Sequence, residues 1–180
     1  MIASTLPRVL AAQEQPAIEA EFRAASGDDI ALVNHAWSAD DRGNKLRMVA
    51  LLSGQGAQRN RMMKDLYDKD AHIRKIMDRG ETIFSRERGY SLLDMMFGTD
   101  DAINSTQNTQ AAVFLSSAAV YSRLAQEGFS PDYFIGHSVG EYTALFCCGI
   151  LSFDDAMRLI IKRADLMYEA TLKVPGKIMV

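Results

Sequence analysis

A serine set between two glycines, Gly136-His137-Ser138-Val139-Gly140, is the segment of this chain best suited to covalent chemistry. The pattern G-x-S-x-G fits a nucleophile elbow, a sharp strand-to-helix turn whose glycines permit close backbone approach and whose serine hydroxyl is left exposed. Tyr133-Phe134-Ile135 before it reads as a short strand, and the apolar segment from Tyr142 to Cys148 after it reads as a helix, which is the context the motif requires. Ser138 is then expected at a helix N-terminus, where unpaired N–H groups and the positive end of the dipole stabilise a developing oxyanion. The backbone N–H of Val139 is the natural first donor. His137 is a poor base for Ser138, because adjacent side chains at a sharp turn diverge, and it is assigned to pocket shape or local hydrogen bonding.

An oxyanion hole needs a second donor. The apolar run Met48-Val49-Ala50-Leu51-Leu52 has the signature of a buried parallel strand, and it is followed by Ser53-Gly54-Gln55-Gly56-Ala57-Gln58. In a parallel sheet both this loop and the elbow emerge at the carboxyl ends of their strands, where α/β sites form, so Gln55 is expected to face Ser138. A solvated surface turn fits the same residues. Phosphate binding fits them less well: position 59 is arginine where G-x-G-x-x-G requires glycine, and the P-loop lysine is missing.

The remaining elements follow from periodicity and punctuation. Met63, Leu66, Tyr67, Ile73, Ile76 and Met77 recur at helical spacings and predict two helices. Gly89 and Gly98 bracket a shorter segment around Leu92 to Phe97. From about Thr109 to Glu127, small and apolar residues cover most of a helix surface, as in a buried helix, and Gly128 suits its C′ position. Ser130-Pro131-Asp132 marks a turn. Gly149 ends the helix after the elbow, and Ser152 with Asp155 resembles a capping box opening a helix from Phe153 to about Thr171. Pro175-Gly176 breaks the chain before a new strand from Lys177 to Val180. Residues 1–45 are polar and alanine-rich and read as a linker or helical arm.

With 180 residues, 48% hydrophobic and 24% charged, the chain suits one or two compact globular units. Twenty Lys plus Arg against twenty-three Asp plus Glu, a net charge of −3, gives no support to nucleic-acid binding driven by bulk charge. No stretch reaches the roughly 18 to 20 apolar residues of a membrane span, and the N-terminus lacks the basic region of a signal peptide, so cytoplasm is the expected compartment. The adjacent cysteines, Cys147 and Cys148, are expected to be buried packing residues, and no metal site is expected from them. His35 and His72 are expected at the surface. Arg59, Arg61 and Lys64 fit a solvated helix face, with phosphates or an acidic partner as the alternative contact.

Four ordered motifs together resemble the malonyl-CoA:acyl carrier protein transacylase family, which includes the acyltransferase domains of fatty acid, polyketide and polyunsaturated fatty acid synthases. They are Gly54-Gln55-Gly56-Ala57-Gln58, Thr106-Gln107-Asn108-Thr109-Gln110-Ala111-Ala112, Gly136-His137-Ser138-Val139-Gly140-Glu141-Tyr142-Thr143-Ala144-Leu145, and Arg163 with Met167. The resemblance covers about residues 47 to 180, under half of the family's domain. It implies an α/β fold, a parallel sheet with flanking helices in the α/β-hydrolase-like large subdomain of an acyltransferase. Residues 46–175 would be the N-terminal part of that subdomain and 176–180 the start of the ferredoxin-like small subdomain, where the chain would be truncated.

The resemblance also implies roles. Ser138 would be the acyl-accepting nucleophile, with Val139 N–H and Gln55 as oxyanion donors. Arg163, which alone beside Lys162 reads as a solvated helix arginine, would clamp the free carboxylate of a malonyl thioester through two parallel hydrogen bonds. Gln110 would line the pocket, although a residue satisfying backbone groups at a helix start fits it nearly as well. The substrate would be malonyl-CoA or a related acyl-CoA, and the acceptor the phosphopantetheine of an acyl carrier protein, with no metal or redox cofactor. Other domains of a multidomain synthase are further expected partners, residues 1–45 being the connector. The family's catalytic histidine falls beyond Val180 in this register. A serine hydrolase or thioesterase, and a catalytically incomplete scaffold, are the rival expectations.

Overall fold

The computed structural model describes residues 47–173. The linker expected over 1–45, His35 within it, and the strand expected from Lys177 lie outside the described residues. The elements are β1 (Val49–Leu52), α1 (Lys64–Lys69), α2 (Ala71–Arg88), α3 (Leu92–Phe97), a 3-10 turn (Asp101–Asn104), α4 (Thr106–Gln126), β2 (Tyr133–Gly136), α5 (Val139–Cys147) and α6 (Phe153–Lys173). β1 pairs with β2. The strands run parallel: the carbonyl of Met48 accepts from Asp132 and Tyr133, and four residues on, the carbonyl of Leu52 accepts from His137 at 3.3 Å. The fold is α/β, with helices predominating among the described residues.

The described residues divide into two compact units, 47–50 with Leu124–Tyr133, and Leu51–Arg123 with 134–173. In the first, the Asp132 carboxylate accepts the Met48 N–H at 2.9 Å, and Arg47 donates to the Tyr133 hydroxyl while its guanidinium lies over that ring. The second holds the main core.

That core is built on α4. Ala111, Ala112, Phe114, Leu115, Ala118 and Ala119 are fully buried, so the helix is enclosed as its composition predicts. Phe114 meets Phe146 of α5 and Phe153 of α6 at centroid distances of 5.9 and 5.8 Å, and Phe146 and Phe153 meet each other edge-on. Gly80 of α2 lets the Leu115 side chain approach; a Cβ there would stand 2.4 Å from it. Ser152 and Asp155 do open α6: the Asp155 N–H donates to the Ser152 hydroxyl, which in turn donates to the Asp155 carboxylate. That second bond departs from the reciprocal backbone bond of a capping box.

Four expectations are corrected. β1 is not a fully buried strand: Leu51 is 76% exposed and the other three residues are half-buried, the sheet having two strands among the described residues. Cys147 is buried, and burial pushes its thiol up to about 12, but Cys148 is exposed at the end of α5. His72 is half-buried, its Nε2 2.9 Å from the Ser122 hydroxyl. Arg59 and Arg61 are exposed but lie in the turn before α1 rather than on a helix, and Arg61 has a positive φ of 60°.

Asp70 fixes the start of α2. Its carboxylate accepts the N–H groups of His72 and Ile73 at 2.8 and 2.9 Å and the Nε of Arg123 at 2.7 Å. Burial by itself would raise the carboxyl, yet these bonds outweigh it and hold it below its ordinary value. A carboxyl depressed in the folded state stabilises the protein above its unfolded value and loses that contribution as the pH falls through the folded value. Asp70→Ala is therefore expected to cost about 0.5–2 kcal/mol near neutral pH. In denaturant titrations the gap to the native protein should narrow as the pH falls below about 4; a gap constant with pH would contradict the assignment.

Candidate active site

The site lies wholly within the second unit, Leu51–Arg123 with 134–173. Ser138 sits at the N-terminus of α5 with φ 56° and ψ −112°, a backbone conformation that L side chains rarely adopt. Two glycines make it possible. A Cβ on Gly136 would stand 2.1 Å from the backbone of Gly140, and one on Gly140 would stand 2.2 Å from the carbonyl oxygen of Leu52. The turn is closed by the Gly140 N–H donating to His137 C=O at 2.9 Å and the Glu141 N–H donating to Ser138 C=O at 3.1 Å.

The loop after β1 packs against this turn. Besides the contact of Gly140 with Leu52 and Ser53, a Cβ on Gly54 would meet His137 at its carbonyl oxygen (2.7 Å) and at Nδ1 (2.8 Å). The backbone after β1 and the elbow after β2 therefore touch, as two loops at the carboxyl ends of adjacent parallel strands should. The Gln55 side chain is exposed and its Nε2 donates to Thr106 Oγ1 at 3.4 Å. The backbone N–H groups of Gln55 and Val139 donate to nothing among the described residues.

Arg163 of α6 reaches this centre. Its Nη2 donates to Ser138 Oγ at 3.0 Å and its Nη1 donates to Gln110 Oε1. The guanidinium also lies over the Tyr142 ring, 5.3 Å from the centroid, an arrangement favourable to a cation. Gln110 is completely buried, and its Nε2 approaches Met167 Sδ at 3.3 Å. The glutamine thus braces the arginine instead of satisfying backbone at the start of α4. A guanidinium has five N–H donors in a planar fork, so donors remain for a further anion.

Of the residues singled out from sequence, Ser138, Arg163 and Gln110 form one hydrogen-bonded set. Val139 follows Ser138 directly, and Gln55 lies in the loop packed on the elbow. His137 is exposed, its ring against Gly54. Neither it nor His72 bonds to Ser138 among the described residues. Tyr142 and Thr106, which carry no expected role in the sequence motifs, also meet these residues. Tyr142 is four residues after Ser138, one helical turn on, and that spacing beside an expected arginine is the signal that points to it.

A strained serine at a helix start with a guanidinium beside it is the arrangement found in this unit, and activated serines of this kind serve acyl chemistry in general. The chain belongs to the family whose model is described as the acyl transferase domain, matched over residues 49–179. It is 34% identical over 125 residues to the malonyl CoA-acyl carrier protein transacylase of Staphylococcus aureus (strain MRSA252), covering 69% of this chain and 39% of that protein. The crystal structure of MCAT from Streptococcus pneumoniae superposes with a TM-score of 0.63 at 38% identity, over 68% of this chain and 39% of that one. A malonyl-transacylase solved in complex with its type II PKS acyl-carrier protein gives 0.61 at 31% identity, over 69% and 40%. The chain thus spans about two fifths of the length of the relatives it matches.

Gly140→Ala tests the contact that closes the elbow. With its Cβ 2.2 Å from the Leu52 carbonyl oxygen, backbone must move, and a loss of about 1–3 kcal/mol is expected by denaturant titration. An unchanged midpoint would mean the two backbones do not abut.

Proposed function

We propose that this chain forms the nucleophile-bearing part of an acyltransferase that moves a malonyl-type group from CoA to an acyl carrier protein. Ser138 Oγ attacks the thioester carbonyl, the serine proton passes to a base, and the C–S bond breaks to release CoA as its thiol. The acyl-serine ester is then attacked by the phosphopantetheine thiol of the carrier protein, which restores the serine hydroxyl. The N–H groups of Gln55 and Val139 hold the oxyanion in both steps. No metal or redox cofactor enters, because the thioester is already activated.

The observation that carries this reading is the Arg163 guanidinium within hydrogen-bond reach of Ser138 Oγ, braced by Gln110 and Tyr142. A malonyl thioester places a carboxylate next to its reacting carbonyl, so a cation beside the nucleophile meets that carboxylate when the carbonyl arrives. Hydrolysis of uncharged esters gives no reason for such a cation. The names of the relatives, transacylases acting with acyl carrier protein, support the same substrate pair. We assign the base to a histidine from outside the described residues and place the reaction in the cytoplasm, within fatty acid or polyketide synthesis. Residues 1–45 would connect the domain to a larger synthase. Among the described residues no helix is long and apolar enough to cross a membrane.

Two variants of the full-length protein test the proposal. Ser138→Ala should abolish the stable malonyl adduct seen by intact-mass spectrometry after incubation with malonyl-CoA; an adduct that persists would place the nucleophile elsewhere. Arg163→Ala should lower turnover of carboxylated acyl-CoA by about 10²-fold or more while sparing simple acyl-CoA. Equal loss on both would defeat the clamp and favour a general serine hydrolase or thioesterase.

A further inference from the structure

On the other side of α6 from Arg163 lies a polar cluster that the proposed chemistry does not use. The Asp165 carboxylate accepts from Arg88 Nη1 of α2 and from Gln107 Nε2 of α4 at 3.0 Å, and Arg88 Nη2 also donates to the Ile161 carbonyl at 3.3 Å. The cluster is largely enclosed: the Arg88 side chain is 11% exposed, and its Nε has no partner among the described residues. Burial alone would raise the Asp165 carboxyl, but the bonds from Gln107 and Arg88 hold it below its ordinary value.

The placement of this cluster on the helix gives it a consequence for the site. Met157, Ile160, Ile161 and Ala164 form the buried stripe of α6. At about 100° per residue, Arg163 and Asp165 stand about 200° apart around the axis, on opposite flanks of that stripe. The first two turns of α4 hold both flanks, Gln107 on Asp165 and, three residues later, Gln110 on Arg163. Apolar packing along a stripe resists separation of helices but only weakly resists rotation about the axis. Rotation is instead opposed by directional bonds at the two flanks. A roll of about 10° would carry an atom 5–6 Å from the axis by about 1 Å, and a displacement of that size in a binding group costs about 10²-fold in rate.

We propose that Asp165, held by Arg88 and Gln107, is a positioning residue that fixes the roll of α6 and thereby aims Arg163 at the substrate carboxylate. It touches no substrate; its effect is on selectivity between carboxylated and uncharged acyl groups. The inference rests on the reading of Arg163 as the carboxylate clamp.

The test compares steady-state transfer from malonyl-CoA and acetyl-CoA by the full-length protein and its Asp165→Asn and Gln107→Leu variants, alone and combined with Arg163→Ala. Asp165→Asn should raise KM for malonyl-CoA, lowering the malonyl-to-acetyl ratio of kcat/KM by about 10-fold or more, with Gln107→Leu shifting it the same way and Asp165→Glu restoring part of it. In the Arg163→Ala background neither change should alter the ratio further. A merely structural role would lower both substrates equally with the thermal midpoint, and that result, or an unchanged ratio in a folded variant, would overturn the proposal. Should Asp165→Asn fail to fold, Gln107→Leu, which removes one neutral donor, decides it by the same ratio. If Arg163→Ala alone leaves the ratio at its native value, the clamp reading fails instead.

Discussion

Backbone pressed on backbone is the constraint from which the site follows. Gly136 lies against Gly140, and Gly140 against the carbonyl of Leu52, at distances no side chain can share. The first contact bends the chain sharply enough to put Ser138 in its strained conformation at the head of α5. The second brings the end of β1, and the loop it leads into, alongside that serine. Strain at a single residue costs about 1–3 kcal/mol, which the enclosed α4 and the aromatic contacts of Phe114, Phe146 and Phe153 can absorb.

Arg163 gives the strained serine a charge to work with. The guanidinium donates to the hydroxyl and to a fully buried glutamine and lies over the face of a tyrosine, so it is held in place before any ligand arrives. Preorganisation of this kind removes reorganisation at the moment of reaction. An incoming carboxylate is a stronger acceptor than a neutral hydroxyl and would draw the fork toward itself, leaving the Ser138 oxygen lone pairs for the carbonyl carbon. Recognition of the acyl group and release of the nucleophile would then be one event.

Much of this was legible in the chain itself. The elbow, the loop after β1, the enclosed α4 and the helix opened by Ser152 follow from short-range rules: glycines where backbones meet, small and apolar residues around a whole helix, a hydroxyl before an acidic residue. Arg163 and Gln110 were legible only through their register with a family, since nothing local distinguishes an arginine beside Lys162 from a solvated one. The Arg88, Asp165 and Gln107 cluster was not legible at all. Its members come from three helices, and which side of α6 faces which neighbour is decided by tertiary packing. The exposure of Leu51 was missed for the related reason that an apolar run reports what a strand can bury, and not whether the covering layer is among the same residues.

Everything rests on the N–H of Gln55 and the elbow of Ser138 enclosing one carbonyl. A crystal structure of the full-length protein trapped as its malonyl-serine ester measures this directly. The ester oxygen should lie about 2.7–3.1 Å from the backbone nitrogens of Gln55 and Val139, with the malonyl carboxylate on Arg163. An ester oxygen turned away from both nitrogens, or a carboxylate bound elsewhere, would contradict the account.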